Sequence, residues 1–310
     1  MKIGIDLGGS HIAVGIITDE GKIIAKKEEN ILFVEINKIE IKEIIRDKIL
    51  SLINYVTEKL NIPIFVIEEI HIGVPGTVEN NFIVSIKKYN IYNWNLAEEL
   101  EKCYKIKIRI TNDAVASAIA EKNYGSLKNA KKAVFLCLGT GIGGATILDD
   151  KIFPSEYGHM VIEKNGETCH CGKRGCFETY CSMRAFKTKI IELLNLNNET
   201  TSEEILEILK EQNDNEQINR YIDEYIDNLL VGISNIVNII NPEKICIGGS
   251  FTYFEDILYK RLLEKAKTCT SQYKMPEIII ASLKNDAGII GWKILDKVPN
   301  LSFDKNWIMC

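Results

Sequence analysis

Positive charge is in deficit along this chain. Its 38 lysines and arginines face 43 aspartates and glutamates, a net charge of −5 over 310 residues. The two signs are interspersed, so no basic tail or stripe forms, and nothing here offers a general attraction for nucleic acid or an anionic membrane. Long apolar runs are missing as well. No stretch approaches the roughly 20 residues of a membrane span, and Asp6 breaks the apolar start that a secretory leader needs. The expectation is a soluble, cytoplasmic protein with neither a membrane nor a nucleic acid as partner. An odd count of nine cysteines, most of them scattered, argues against a disulfide framework. There is no Walker lysine, no solenoid repeat and no low-complexity tract.

Hydrophobic residues make up 46% of the chain, ample for a buried core, and the length suggests two domains. Lys2 to Asp6 and Ile12 to Thr18 read as strands around a tight turn, with Ile23 to Lys27 as a third strand. Ile41, Ile44, Ile45, Ile49, Leu52, Ile53, Val56 and Leu60 recur at helical spacing. Glu69 to Val74 and Ile108 to Ile110 are further strands, and Ala114 to Tyr124 a helix ending at Gly125. Ala133 to Leu138 then repeats the opening pattern: strand, glycine turn, and a strand over Ala145 to Leu148. The repetition predicts an internal duplication, two similar α/β halves facing a cleft. Thr201 to Glu204 has capping-box spacing, so a surface helix starts there. A long helix spans Tyr221 to Ile240, followed by strands at Lys244 to Ile247 and Ile278 to Ala281 and a last helix from Asp286.

Three glycine turns each follow a strand: Gly8-Gly9, Gly139 to Gly144, and Gly248-Gly249. Glycine lets a backbone approach phosphate and aim its N–H groups at the oxygens. Gly139, Gly141 and Gly144 also match the dinucleotide pattern. That pattern needs a helix after it, and Ala145 to Asp150 reads as strand and turn. Three such turns in duplicated halves suit a nucleotide clamped between two domains.

His159, Cys169, Cys171 and Cys176 supply three thiolates and one imidazole, a closed tetrahedral set for zinc. Gly172 and Gly175 allow the intervening loop to fold round a metal. His170 or Cys181 can replace one of these ligands. Asp113 stands between a strand and a helix, which suits either a cleft carboxylate or a helix cap.

Asp6-Leu7-Gly8-Gly9-Ser10 resembles the first phosphate motif of the actin, hexokinase and Hsp70 superfamily. Leu138 to Gly144, with Thr140 inside it, resembles the second, and Ile247-Gly248-Gly249-Ser250 the adenosine motif. The segment Glu156-Tyr157-Gly158-His159 followed by Cys169, Cys171, Gly172, Gly175, Cys176 and Glu178 resembles the signature of the ROK family. The likeness takes in Gly73-Val74-Pro75-Gly76, Asn112-Asp113-Ala114 and Asn241-Pro242 and covers nearly the whole chain. Ser10, Ser155, Ala145 and Phe82 depart from the family's usual residues, and Phe82 lies beside the sugar position.

The resemblance implies an actin-like (ribonuclease H-like) α/β ATPase fold, duplicated, with a central cleft and a small zinc-binding loop over 156–178. It divides the chain into residues 1–110, joined by a C-terminal helix 286–310, and residues 111–285. It implies an ATP-dependent kinase that phosphorylates the 6-hydroxyl of a hexose. Glucose is favoured, and N-acetylmannosamine, fructose, allose and N-acetylglucosamine are alternatives. Asp113 takes the role of catalytic base. Asn112, Glu156, His159 and Glu178 contact the sugar, with Asn95 or Asn90. Asp6, Gly8, Gly9, Ser10, Gly139, Thr140, Gly141, Gly248 and Gly249 serve ATP and magnesium. Zinc is structural, and a homodimer is the expected assembly. Repressors of the family carry a helix-turn-helix before the kinase-like part. The first phosphate strand begins at Lys2, so the expectation here is the kinase branch and not a sugar-sensing regulator.

Overall fold

The computed structural model describes residues 1–8, 11–31, 40–149, 151–269 and 273–291. These form two compact units, 1–128 with 151–153 and 285–291, and 129–149 with 154–284.

In the first unit, β1 (Lys2–Leu7) and β2 (His11–Ile17) pair as an antiparallel hairpin. The cause is the strict alternation of Ile3, Ile5 and Leu7 with Ile12, Val14 and Ile16, all fully buried. β3 (Ile23–Asn30) lies antiparallel along β2, and β4 (Glu69–Val74) runs parallel to β1. Helix α1 (Glu40–Lys59) covers β2 and β3 with the expected stripe from Ile41 to Val56. After β4 comes a small antiparallel sheet of β5 (Thr77–Glu79), β6 (Phe82–Ile86) and β7 (Ile91–Trp94), and then α2 (Leu96–Tyr104). Strand β8 (Lys107–Asn112) completes the main sheet in the order β3-β2-β1-β4-β8 and passes directly into α3 (Asp113–Tyr124).

The first compact unit runs past residue 110, the division expected from the sequence. α3 packs on β4, β8 and the short helix α9 (Ala287–Ile290), so 111–128 stays with the first unit. α9 in turn lies against β1, where a Cβ added at Gly4 would stand 1.9 Å from the carbonyl oxygen of Ile289. Only glycine permits that approach. The expected last helix is described as far as Ile290, and 292–310 lie outside the described residues.

The second unit repeats the plan. β9 (Lys132–Leu138) and β10 (Ile142–Leu148) form a hairpin, and β11 (Lys151–Pro154), although 151–153 are grouped with the first unit, belongs to the same sheet. β12 (Lys244–Gly248) and β13 (Glu277–Ile280) are added in parallel to β9, giving β11-β10-β9-β12-β13. Both sheets therefore have the same strand order, the duplicated actin-like arrangement. β10 begins at Ile142, earlier than the Ala145 expected. Gly143 and Gly144 pair in the ladder with Cys137 and Leu136, and Gly144 leaves room for the Tyr157 ring. The covering helices are α4 (Phe177–Cys181), α5 (Met183–Leu194), α6 (Ser202–Glu211), α7 (Glu216–Ile240) and α8 (Glu255–Ala266). Thr201 and Glu204 cap α6 reciprocally, Glu204 N to Thr201 Oγ1 at 3.2 Å and Thr201 N to Glu204 Oε2 at 2.7 Å. Asn241 ends α7 in the left-handed conformation before Pro242. Among the described residues no helix is long and apolar enough to cross a membrane.

Candidate active site

In the first unit the carboxylates stand at the carboxyl ends of two parallel strands, β1 and β8, with β4 between them. Asp6 is the penultimate residue of β1, and Asp113 follows β8 as the first residue of α3. The helix cap belongs to Asn112. Its Oδ1 accepts from Ala114 N at 3.0 Å and Val115 N at 3.2 Å, while its Nδ2 donates to the Gly76 carbonyl at 3.2 Å. Asp113 accepts from Ala114 N at 2.8 Å and lies at the positive end of the α3 dipole. Asp6 packs against α9, where a Cβ on Gly288 would stand 2.6 Å from the carboxyl carbon.

Two further residues, unforeseen in the sequence, complete this half. His11 Nε2 lies 3.9 Å from Asp6 Oδ2. Hydrogen bonding to Asp6 raises the imidazole above its ordinary value, with burial opposing and the Asp6 charge adding to the rise. The buried Tyr89, just beyond β6, donates its hydroxyl to the Gly8 carbonyl. Burial, then the charges of Asp113 and Asp6, hold its phenol far above the usual range. Tyr89→Phe keeps the ring and removes the donor. We expect it to cost about 1–3 kcal/mol, because a buried carbonyl loses its partner. An unchanged urea midpoint would show that Gly8 finds another donor. Gly9 and Ser10 lie outside the described residues. Asn95 is exposed and caps α2, accepting from Glu98 N and donating to Glu98 Oε2 at 2.7 Å. Asn90 is exposed and left-handed, with φ 54°.

In the second unit the turn Gly139-Thr140-Gly141 closes through Gly139 N to Gly141 O at 2.9 Å. Thr140 is exposed, and a Cβ at Gly139 would meet nothing within 4 Å, so that face of the turn is open. The third turn is brought beside it by the parallel pairing of β9 and β12. Gly249, with φ 75°, lies so close to β9 that an added Cβ would stand 2.5 Å from the Leu138 carbonyl oxygen.

The cysteine loop gathers His159, Cys169, Cys171 and Cys176, whose donor atoms all lie within 4.8 Å of one another. Gly172 and Gly175 both have left-handed φ, and a Cβ at Gly175 would fall 1.6 Å from the Glu163 carbonyl oxygen. A tetrahedral zinc with Zn–S of about 2.3 Å separates its sulfurs by about 3.8 Å. Cys171 Sγ and Cys176 Sγ are 3.6 Å apart, and Cys169 Sγ is 3.8 Å from His159 Nδ1. The donor set thus fits zinc. Burial pushes the Cys169 thiol up and the Cys176 thiol to about 12, with neighbouring thiols adding to the latter. Cys171 is raised by burial but lowered overall by the Lys173 backbone N–H and the other thiols. A bound divalent cation would remove this conflict, because it deprotonates the thiols it binds.

Of the alternative ligands, Cys181 is buried elsewhere, its carbonyl accepting from Tyr225 at 2.9 Å. His170 joins His159 and Glu178 in a second cluster. Glu156 is exposed and precedes the turn Tyr157–His159. Ser155 bonds Thr146 Oγ1 at 2.8 Å, and Thr146 also bonds the Tyr157 hydroxyl.

The model of the family described as "ROK family" matches residues 2–298. The chain belongs to the ROK family. A glucokinase of Thermotoga maritima is 30% identical over 93% of this chain and 95% of its own. A xylose repressor of Caldicellulosiruptor bescii is 28% identical over 93% of this chain and 76% of its own. The structure of a ROK family glucokinase from Streptomyces griseus, in complex with glucose and AMPPNP, superposes with a TM-score of 0.77 at 21% identity, covering 94% of this chain and 97% of that one. The ROK fold thus extends over both units.

Proposed function

We propose that this ROK protein is an ATP-dependent sugar kinase that transfers the γ-phosphoryl group to the 6-hydroxyl of a hexose, glucose first among the candidates. The observation that carries this reading is Asp113: a carboxylate at the start of α3 whose capping duty is discharged by the neighbouring Asn112. The helix therefore does not need this acid as its cap, although it favours a negative charge there. As general base Asp113 would accept the hydroxyl proton while the hydroxyl oxygen attacks the γ-phosphorus and the bond to the β–γ bridging oxygen breaks, releasing ADP. Asp6 would hold magnesium through water, supplying charge neutralisation at the phosphates. Gly8, Gly9 and Ser10, then Gly139, Thr140 and Gly141, would cradle the phosphates, with Gly248 and Gly249 at the adenosine. Asn112, Glu156, His159, Glu178 and Asn95 or Asn90 would receive the sugar hydroxyls. His159, Cys169, Cys171 and Cys176 would hold a structural zinc that stiffens the loop carrying them.

The likeness to the Thermotoga and Streptomyces glucokinases supports this reading. The likeness to a xylose repressor favours a second one, a sugar-responsive regulator without catalysis. ADP release over a panel of hexoses and N-acetylhexosamines, with ATP and magnesium, separates the two. We expect turnover with glucose and none with the 6-deoxy form of the best sugar. Turnover of the 6-deoxy sugar would overturn the hydroxyl assignment, and silence with every sugar would overturn the kinase. A homodimer is the proposed assembly, readable by light scattering.

A further inference from the structure

Glu178 is a buried carboxylate with partners on two sides. It lies in the first turn of α4, its side chain 7% exposed. Oε1 is 2.9 Å from His170 Nδ1 and 3.3 Å from Cys169 Sγ. Oε2 accepts from the Ile142 N–H at 3.3 Å and borders Gly141, where an added Cβ would stand 2.7 Å away. One carboxylate thereby joins the cysteine loop to the turn between β9 and β10.

A buried carboxylate keeps one orientation only while both oxygens have donors. On the loop side there are two, and they are not equivalent. Cys169 donates only as a thiol, and a metal bound to the cysteine set removes that proton. His170 keeps an Nδ1–H in one neutral tautomer and in the cation. Its side chain is 52% exposed, so it fills no part of the core. Nor does the metal need it, because His159, Cys169, Cys171 and Cys176 already make four donors.

We infer that His170 is a positioning residue: it holds Glu178 in the orientation that serves the sugar on one side and the second glycine turn on the other. The inference rests on the sugar-kinase reading, which gives Glu178 its sugar. His170→Ala and His170→Asn in the full-length, metal-loaded protein test it, with zinc content, kcat and sugar KM measured for each. His170→Ala is expected to keep its zinc and its kcat while sugar KM rises about tenfold, the loss of one hydrogen bond to a charged group. His170→Asn, whose Nδ2–H can stand near the imidazole Nδ1, is expected to restore most of that affinity. An unchanged KM in His170→Ala overturns the inference. So does loss of zinc, which would make His170 a ligand, and so does an asparagine that behaves as alanine does. Failure of the underlying reading is seen separately, in a wild-type protein inert toward every sugar.

Discussion

Asp113→Asn is expected to fold, to bind sugar, and to turn over at least about a hundredfold more slowly than the parent, the usual worth of a general base. The geometry makes this a clean substitution. Asp113 Oδ1 accepts from Ala114 N at 2.8 Å, and an asparagine Oδ1 can make the same bond. The cap on α3 is untouched, because it is made by Asn112. What the change removes is one negative charge at the helix N-terminus, worth roughly 0.3–1 kcal/mol of stability, and the capacity to take a proton. The loss should therefore fall on kcat, with sugar KM and melting temperature nearly unchanged. A well-folded variant with near-normal turnover would remove Asp113 from the role of base. Substituting Asn112 instead should lower stability, through the cap and the bond to Gly76, and weaken sugar binding as well, because Asn112 is a proposed sugar contact.

The contrast between these neighbours shows what a sequence can and cannot convey. Asn112-Asp113 at a strand-to-helix junction admits two assignments, cap and carboxylate, and only side-chain geometry separates them. The hairpins at Lys2 and Lys132 were legible because every second residue is apolar and a glycine turn follows. The clustering of His159, Cys169, Cys171 and Cys176 was legible because their spacing is short and their chemistry unusual. Long α7 showed itself by helical periodicity, and α6 by its capping box. The segment from Thr77 to Tyr104 was not legible. It holds three short strands and α2, each too brief for periodicity to stand out. Tyr89 comes from that segment, so its bond to Gly8 was hidden. The contact of Gly288 with Asp6 joins the two ends of the described chain, which no local pattern reveals. The unit boundary fell late for the same reason: α3 is held by α9, a partner distant in sequence.

Cys171→Ser is expected to lower the zinc content from about one per chain to a small fraction, because a serine hydroxyl replaces a thiolate in a four-donor set. Cys171 sits 3.6 Å from Cys176 and is one corner of the four-donor set, so the variant leaves three donors. The binding energy of a structural metal contributes to folding, and here it should stabilise the loop more than the sheet behind it. The consequence should appear first in sugar binding. Glu156 and His159 precede the cysteine segment and Glu178 closes it, so all three depend on how that loop is held. The glycine turns are held otherwise: Gly139 by its own turn bond and Gly249 by its seat against Leu138. Nucleotide binding should weaken less, but not escape, because Glu178 reaches Ile142 N at the edge of the second turn. Metal analysis with calorimetry on parent and variant measures both effects. A parent that is fully active without zinc would refute the structural role. Unchanged sugar affinity in the zinc-depleted variant would show that the loop keeps its shape through its glycine turns and backbone bonds alone.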